Sequence, residues 1–347
     1  MLHFFYLVLK FYVTITLRFF FSKIEVRGRE NLKGNGPFLF VANHQNAFID
    51  GLLLVSVNSF SVHFLIRADI YKKKWASDLL HFLKLMPVYR IRDGYENLSK
   101  NTEQFDACIR LFKKGDSVLI FPEGNHGHTR KLRPLSKGFT RIAFEAIKQE
   151  PNMNLQVIPV GYNYSHQSAF NSRVLIQYGP PISIADFFKE PLPVNANAFK
   201  DKVAEEIKKL ITHIDDDVRY DEILTKLNAS NPDYFNPEET NQRIEKIAKG
   251  ESIPRTERKT PLFNIITTPL KPLAWFINWP VIQGWRKFEK KIKDPVFVTS
   301  LKYGYGFAVV HIYYALLMCI AAIFINWWAL LVYPALLLTL KILRKPV

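Results

Sequence analysis

Phe38-Leu39-Phe40-Val41-Ala42-Asn43-His44-Gln45-Asn46-Ala47-Phe48-Ile49-Asp50 is the stretch on which the reading of this chain turns. Five apolar or small residues run straight into a polar cluster. That is the pattern of a buried strand carrying Asn43, His44 and Asp50 to its C-terminal edge. Ligands bind at that edge in open α/β sheets. His44 is the side chain most readily used as a general base near neutral pH, and Asp50 is the nearest carboxylate able to orient it. Six residues of continuous helix turn by about 600°, which would set the two on different faces. A His44–Asp50 pair therefore requires a loop or a helix start between them. Otherwise His44 is a hydrogen-bonded histidine near a helix N-terminus.

Working outward, Ser117-Val118-Leu119-Ile120-Phe121 is a second buried strand, running into Pro122-Glu123-Gly124. Pro122 stops the ladder and Gly124 permits a tight turn, so Glu123 is delivered to the same sheet edge as His44. The polar loop that follows holds His126, His128 and Arg130. Further strands are expected at 24–28, 62–67, 86–92, 155–161 and 174–178. Helices are expected from Gly51, across Phe105–Phe112, after Ser136-Lys137-Gly138, and over 197–215, where Phe199, Val203, Ile207, Leu210, Ile211 and Ile214 share a face. Cys108 lies on the apolar stripe of its helix and reads as core rather than nucleophile. Strands alternating with helices make the economical fold an α/β one, a mostly parallel mixed sheet flanked by helices.

The chain carries a formal charge of +16 over 347 residues, and 48% of it is hydrophobic and 14% aromatic. A strongly basic chain favours an anionic partner. Twenty-eight Phe residues and the absence of a zinc pattern argue for anionic membrane lipids and against nucleic acid. Two cysteines far apart, Cys108 and Cys319, exclude a disulfide framework and a cysteine metal site, and fit a reducing compartment.

Residues 1–22 are apolar but broken by His3, Lys10 and Arg18, which favours an interfacial or half-inserted helix with the cations reaching back to the bilayer surface. The α/β domain is expected over 23–225, a polar linker or helical excursion over 226–260, and an interfacial segment rich in Pro, Trp and Phe over 261–303. Residues 304–326, about 23 in a row without a formal charge, are long enough to cross a bilayer. Trp327-Trp328 marks an interface belt, and a second apolar run returns over 329–340. Lys302 before the pair, and Lys341, Arg344 and Lys345 after it, put both ends on the cytoplasmic side. The segment 304–347 is thus expected to be a transmembrane helical hairpin with a basic tail, the catalytic domain facing the cytoplasm. A reentrant pair is the alternative, since the second run is short and contains Pro334.

No G-x-S-x-G elbow, no glycine-rich phosphate loop and no zinc spacing occurs. Four stretches taken in order do resemble the glycerolipid acyltransferase family over roughly residues 24–180: Asn43-His44 through Asp50, Pro87-Val88-Tyr89-Arg90, Phe121-Pro122-Glu123-Gly124, and Val157-Ile158-Pro159-Val160. The commonest pattern in that family has four residues between His and Asp. Here there are five, Gln45 to Ile49, a variant that resembles the fungal-type glycerol-3-phosphate acyltransferases. The third block also departs, with Asn125-His126-Gly127-His128-Thr129-Arg130 where Thr-Arg often follows Glu-Gly.

The resemblance implies a membrane-bound enzyme that moves a fatty acyl group from acyl-CoA or acyl-carrier protein to a phosphorylated glycerol acceptor, with no metal or organic cofactor. It implies His44 as the base and Asp50 as its orienting partner, with the substrate hydroxyl in the place of a serine. It implies substrate contacts by Asn43, by Arg90 on the phosphate with Arg130 or Lys137 assisting, by Glu123 either on an acceptor hydroxyl or in orienting the loop, and by backbone N–H groups near Gly124 or Val160-Gly161 on the oxyanion. The rival readings are the same chemistry on a lyso-aminolipid and a non-catalytic lipid-binding membrane protein.

Overall fold

The computed structural model describes residues 2–34, 36–71, 74–89, 100–167, 169–257 and 266–343. Among them, seven strands form one sheet: β1 Lys23–Arg27, β2 Phe38–Ala42, β3 Val62–Arg67, β4 Leu85–Val88, β5 Ser117–Ile120, β6 Gln156–Tyr164 and β7 Arg173–Tyr178. Their order is β1-β7-β6-β2-β5-β3-β4. Strands β6, β2, β5, β3 and β4 are mutually parallel, β7 pairs antiparallel with β6, and β1 lies parallel to β7. All five residues of β2 are buried, as expected of a central parallel strand covered on both faces.

Helices cover both faces: α1 Leu2–Phe20, α2 Ala47–Val57, α3 Lys74–Phe82, α4 Lys100–Lys113, α5 Gly138–Gln149 and α6 Leu192–Leu210. The alternation of side chains along β2 divides the core between them. Phe38, Phe40 and Ala42 pack with Ile49, Leu53 and Leu54 of α2 and with Leu17 of α1. Leu39 and Val41 pack with Phe112 of α4, Phe139, Ile142 and Ala143 of α5, and Phe199 of α6. Cys108 sits in this second layer, where burial pushes its thiol up to about 12.

From β2 the chain crosses through α2 to β3, on one side of β5. From β5 it crosses through α5 to β6, on the other side of β2. The two connections leave neighbouring strands toward opposite edges and opposite faces. A crevice therefore opens between the C-terminal ends of β2 and β5, where Val41 pairs with Ile120.

Helix α6 runs five residues earlier than its periodicity suggests. It stops at Leu210 because Thr212 N–H bonds the buried Asn163 Oδ1 of β6 at 2.8 Å, which pulls Ile211 into extended backbone. Ile214 consequently leaves the α6 face and enters a small separate core with Ile223, Leu227, Tyr234, Ile244 and Ile247. That core is built by α7 Tyr220–Ala229 and α8 Pro237–Ala248, so part of the expected polar linker is a packed helical lobe, and the 225/226 boundary falls inside α7.

The C-terminal part contains α9 Lys271–Glu289, α10 Val298–Tyr305, a π-helical turn Gly306–Val310, α11 His311–Ile325 and α12 Val332–Ile342. At Asn326 the backbone takes φ 52° and the chain doubles back through a 3-10 turn, Asn326–Leu331. His3–Phe20 and the folded-back Val298–Ile342 are long and apolar enough to span a bilayer. Helix α9, expected as a loose interfacial segment, lies along the hairpin as a third helix. Tyr313 donates to the Ile277 carbonyl at 2.9 Å, Asn278 donates to Thr339 at 2.7 Å, and Val281, Val310, Tyr314 and Leu336 form the centre. Its opposite face leaves Leu273, Trp275, Phe276 and Trp279 exposed. The expected 303/304 boundary falls inside α10, whose Tyr303 is buried in the main core against Phe20 and bonds Thr16 at 2.7 Å. On α1, Phe4, Leu7, Val8, Phe11 and Ile15 form an exposed stripe. Lys10 donates to the Asn58 carbonyl beyond α2 at 2.7 Å.

Candidate active site

Where β2 ends, Asn43 accepts the Tyr162 N–H at 2.7 Å and donates to the Tyr162 carbonyl at 3.2 Å. Both ends of its amide are spent stitching β2 to β6, so the expected substrate contact by Asn43 is corrected to a scaffold role.

His44 follows, and the chain turns before α2 starts at Ala47, which takes φ 39°. This helix start is what a five-residue gap requires. The turn wraps around the Asp50 carboxylate, which is fully buried. Its Oδ2 is 2.9 Å from His44 Nδ1 and accepts the N–H groups of Gln45 and Asn46, each also at 2.9 Å. Its Oδ1 accepts the Tyr164 hydroxyl. With the proton on Nδ1, four donors compensate the loss of water around this carboxylate. Burial and the nearby Asp50 push the Tyr164 phenol well up, so it stays a donor. His44 lies flat on Phe121, ring centres 4.0 Å apart, with Nε2 remaining for a substrate.

Glu123 reaches the expected edge but faces inward. Its Oε1 accepts the His44 backbone N–H at 2.9 Å and its Oε2 accepts Arg133 Nε at 2.5 Å. Its side chain is 3% exposed. Burial pushes its carboxyl up, against the opposing guanidinium. Glu123 thus brackets the His44 turn, which is the loop-orienting one of its two expected roles. Gly124 takes φ 65° in the tight turn, and its N–H is spent on the Phe121 carbonyl at 3.1 Å. Val160 and Gly161 lie within β6, and Gly161 packs against Leu210 too closely to admit a Cβ.

Arg130 is corrected as well. Its guanidinium is buried, donates to the carbonyls of Tyr164 and Ser165 at 3.0 and 3.3 Å, and lies 3.3 Å over the Tyr234 ring. Burial lowers its pKa, and the group ties the helical lobe to the sheet instead of meeting a phosphate. Lys137 immediately precedes α5, exposed on the rim of a cavity, with Arg141 one turn on and Lys200 and Arg67 also at the lining. Arg90 lies outside the described residues.

The cavity, about 1300 Å³, is mostly apolar. One part runs between α1 and α2 past Leu9, Val13, Phe48, Leu52 and Val55. Its polar part holds His44, Asn125, His126, Ser136 and Lys137. Phe297 closes a side and meets the His126 ring edge-on at 4.6 Å. Among the described residues, no three His, Cys, Asp or Glu are grouped to hold a metal ion. Tyr164, Arg133, His126 and Phe297 were not anticipated as site residues. The period-2 placing of Tyr162 and Tyr164 on one face of β6 is a readable signal for the first.

Residues 23–163 match the family described as Acyltransferase. Glycerol-3-phosphate O-acyltransferase 2 of Saccharomyces cerevisiae is 31% identical over 120 residues, 35% of this chain and 15% of that protein. An uncharacterized acyltransferase of Schizosaccharomyces pombe is 34% identical over 89 residues, 26% of this chain and 13% of that protein. The alignments thus cover only a small part of these two relatives. The 1-acyl-sn-glycerol-3-phosphate acyltransferase of Bacillus subtilis is 24% identical over 196 residues, 55% of this chain and 90% of that protein. The crystal structure of the 1-acyl-sn-glycerophosphate acyltransferase PlsC from Thermotoga maritima is similar with a TM-score of 0.40 and 22% identity, over 57% of this chain and 79% of that one.

Proposed function

We propose, from the premise that residues 23–163 are an acyltransferase-family domain, that this protein transfers a fatty acyl group from a thioester to the hydroxyl of glycerol 3-phosphate or its 1-acyl derivative. The observation that carries the reading is the His44–Asp50 pair opening onto a large, mostly apolar cavity. The hydroxyl oxygen attacks the thioester carbonyl while His44 Nε2 takes its proton. The imidazolium, steadied by Asp50, then returns the proton to the departing thiolate as the C–S bond breaks. The apolar branch suits an acyl chain. The thioester is acyl-CoA or acyl-carrier protein, and the lysine and arginine rim suits its phosphates or the acceptor's. Arg90, two residues after β4 in the sequence, is the phosphate clamp that the family resemblance offers.

The five-residue gap and the name of the first yeast relative favour glycerol 3-phosphate over its acylated derivative. The outward stripe of α1, the exposed Trp and Phe of α9 and the apolar hairpin support membrane attachment, while the net charge of +16 favours anionic lipid and Lys302 and Lys341 flanking the hairpin favour the cytoplasmic face for the α/β domain.

Protein in detergent, offered acyl-CoA with glycerol 3-phosphate, lysophosphatidate and lyso-aminolipids in parallel, tests the reading. Wild type should acylate a phosphorylated acceptor, and His44→Ala should lose about 10³-fold or more of kcat. Use of lyso-aminolipids alone would move the acceptor to that class. Equal rates for wild type and His44→Ala would place the protein among non-catalytic lipid binders.

A further inference from the structure

Five backbone N–H groups around the base are already committed. That of His44 goes to Glu123, those of Gln45 and Asn46 to Asp50, that of Gly124 to the Phe121 carbonyl, and that of Gly127 to the His44 carbonyl. A tetrahedral intermediate formed at His44 Nε2 still needs a donor for its oxygen. The His126 side chain stands where it can provide it. The His126 ring is edge-on to His44 with centres 5.4 Å apart, and it lines the cavity. Its Nε2 is buried and has no hydrogen-bond partner among the described residues. His128, two residues on, has a similarly unpartnered Nε2 but is not part of the cavity lining. A buried polar atom left unpaired in a site is a place kept for a ligand atom.

The ring is also held in place. Phe297 packs on one edge, Gly127 is tied to the His44 carbonyl at 3.2 Å, and Arg133 grips the Asn125 carbonyl while bonded to Glu123. Donors that need no rearrangement during reaction are the effective ones.

We infer that His126 is a catalytic residue that donates from Nε2–H to the acyl carbonyl oxygen as that oxygen gains its negative charge. This rests on the acyl-transfer reading. The acceptor oxygen bonds to the carbonyl carbon, the C=O pair moves onto oxygen against His126, and His44 holds the hydroxyl proton. On collapse the C=O re-forms, the C–S bond breaks and the thiolate takes the proton from His44. His126 keeps its own proton throughout. Burial and the adjacent His44 lower its pKa to about 4, so it works as a neutral imidazole. A neutral donor stabilises the oxyanion without placing a positive charge beside a base that must itself become positive.

The test is steady-state kinetics of the full chain in detergent with acyl-CoA and both phosphorylated acceptors. It compares wild type, His44→Ala, His126→Ala, His126→Phe and His126→Gln. Removing the donor with Ala should lower kcat about 100-fold with both KM values within about twofold of wild type. Gln, which offers an amide N–H, should regain about tenfold. Phe keeps an aromatic ring on Phe297 without a donor, so it should match Ala, and it stands in if the Ala variant fails to fold. Unchanged kcat in Ala and Phe, or a raised acceptor KM with kcat preserved, overturns the inference while a dead His44→Ala leaves the acyl-transfer reading standing. A wild type no faster than His44→Ala overturns both.

Discussion

Asp50 meets four donors, and one of them, the Tyr164 hydroxyl, can be removed without touching His44. Tyr164→Phe leaves the carboxylate three partners. It should cost about 1–3 kcal/mol of stability and about tenfold in kcat, measured by chemical denaturation and initial rates. Asp50→Asn should be worse, because an amide turns a donor toward groups that all donate and offers the imidazolium no charge; about 10⁴-fold in kcat is expected. Arg130→Ala should destabilise the protein by about 2–4 kcal/mol, since it leaves two buried carbonyls and Tyr234 without their partner, while acceptor KM is unaltered. An acceptor KM that rises with stability intact would return Arg130 to the phosphate. His44 and Asp50 were legible in the sequence because an apolar strand ending in polar residues names its own edge. Arg130 and Arg133 were not separable, because both are guanidinium groups in one polar loop. One turns under the Tyr234 ring and the other onto Glu123, and each choice is made by a residue distant from the loop or aperiodic within it.

The seven strands follow from local runs of apolar residues, and those located by sequence agree with the structure to within a few residues. Helix ends followed less well. The heptad-like spacing carries on past Leu210, but a side chain on β6 outbids it for the Thr212 N–H. The close approach of β6 and α6 at this place gives a sharp prediction. A Cβ on Gly161 would come within 2.6 Å of the Leu210 backbone, so Gly161→Ala must push α6 outward and should cost about 1–3 kcal/mol. Helix α9 was hidden for a different reason. Its prolines and tryptophans read as an interface composition, and they do face outward, but Ala274, Asn278 and Val281 make a narrow inner edge that only the hairpin reveals.

For the whole molecule, acid should be the weak side. His63, His126, His128 and His213 all have pKa values lowered chiefly by burial, His126 to about 4. Unfolded histidine titrates near 6.5. Below that pH the unfolded chain binds more protons than the folded one, so the stability these residues confer is present above about pH 6.5 and lost as pH falls toward about 4. Melting temperature should fall from pH 7.5 to 5, and less steeply in His126→Gln. An unchanged slope in that variant would mean His126 is not held neutral. Topology is testable at the same scale. With exposed Cys319 replaced by Ser, Trp328→Cys at the hairpin tip should label from the side opposite the α/β domain. Labelling from the domain's own side would indicate a reentrant element.

Phe297 and Ser300 belong to the C-terminal unit, yet the first walls the cavity against His126 and the second bonds the Asn46 carbonyl in the His44–Asp50 turn at 3.0 Å. The ribosome makes them roughly 130 residues after Tyr164 completes the Asp50 cluster. At about 5–20 residues per second, that delay is on the order of ten seconds. During it the cavity beside His44 lacks the side that Phe297 forms. On the proposed attachment, that side comes with the lead-in to the hairpin, so the cavity is closed only as the C-terminal segment reaches the lipid that α1 already meets. On the proposed reading, a chain halted before that point would present the His44 turn without the Phe297 wall that helps keep water from the thioester.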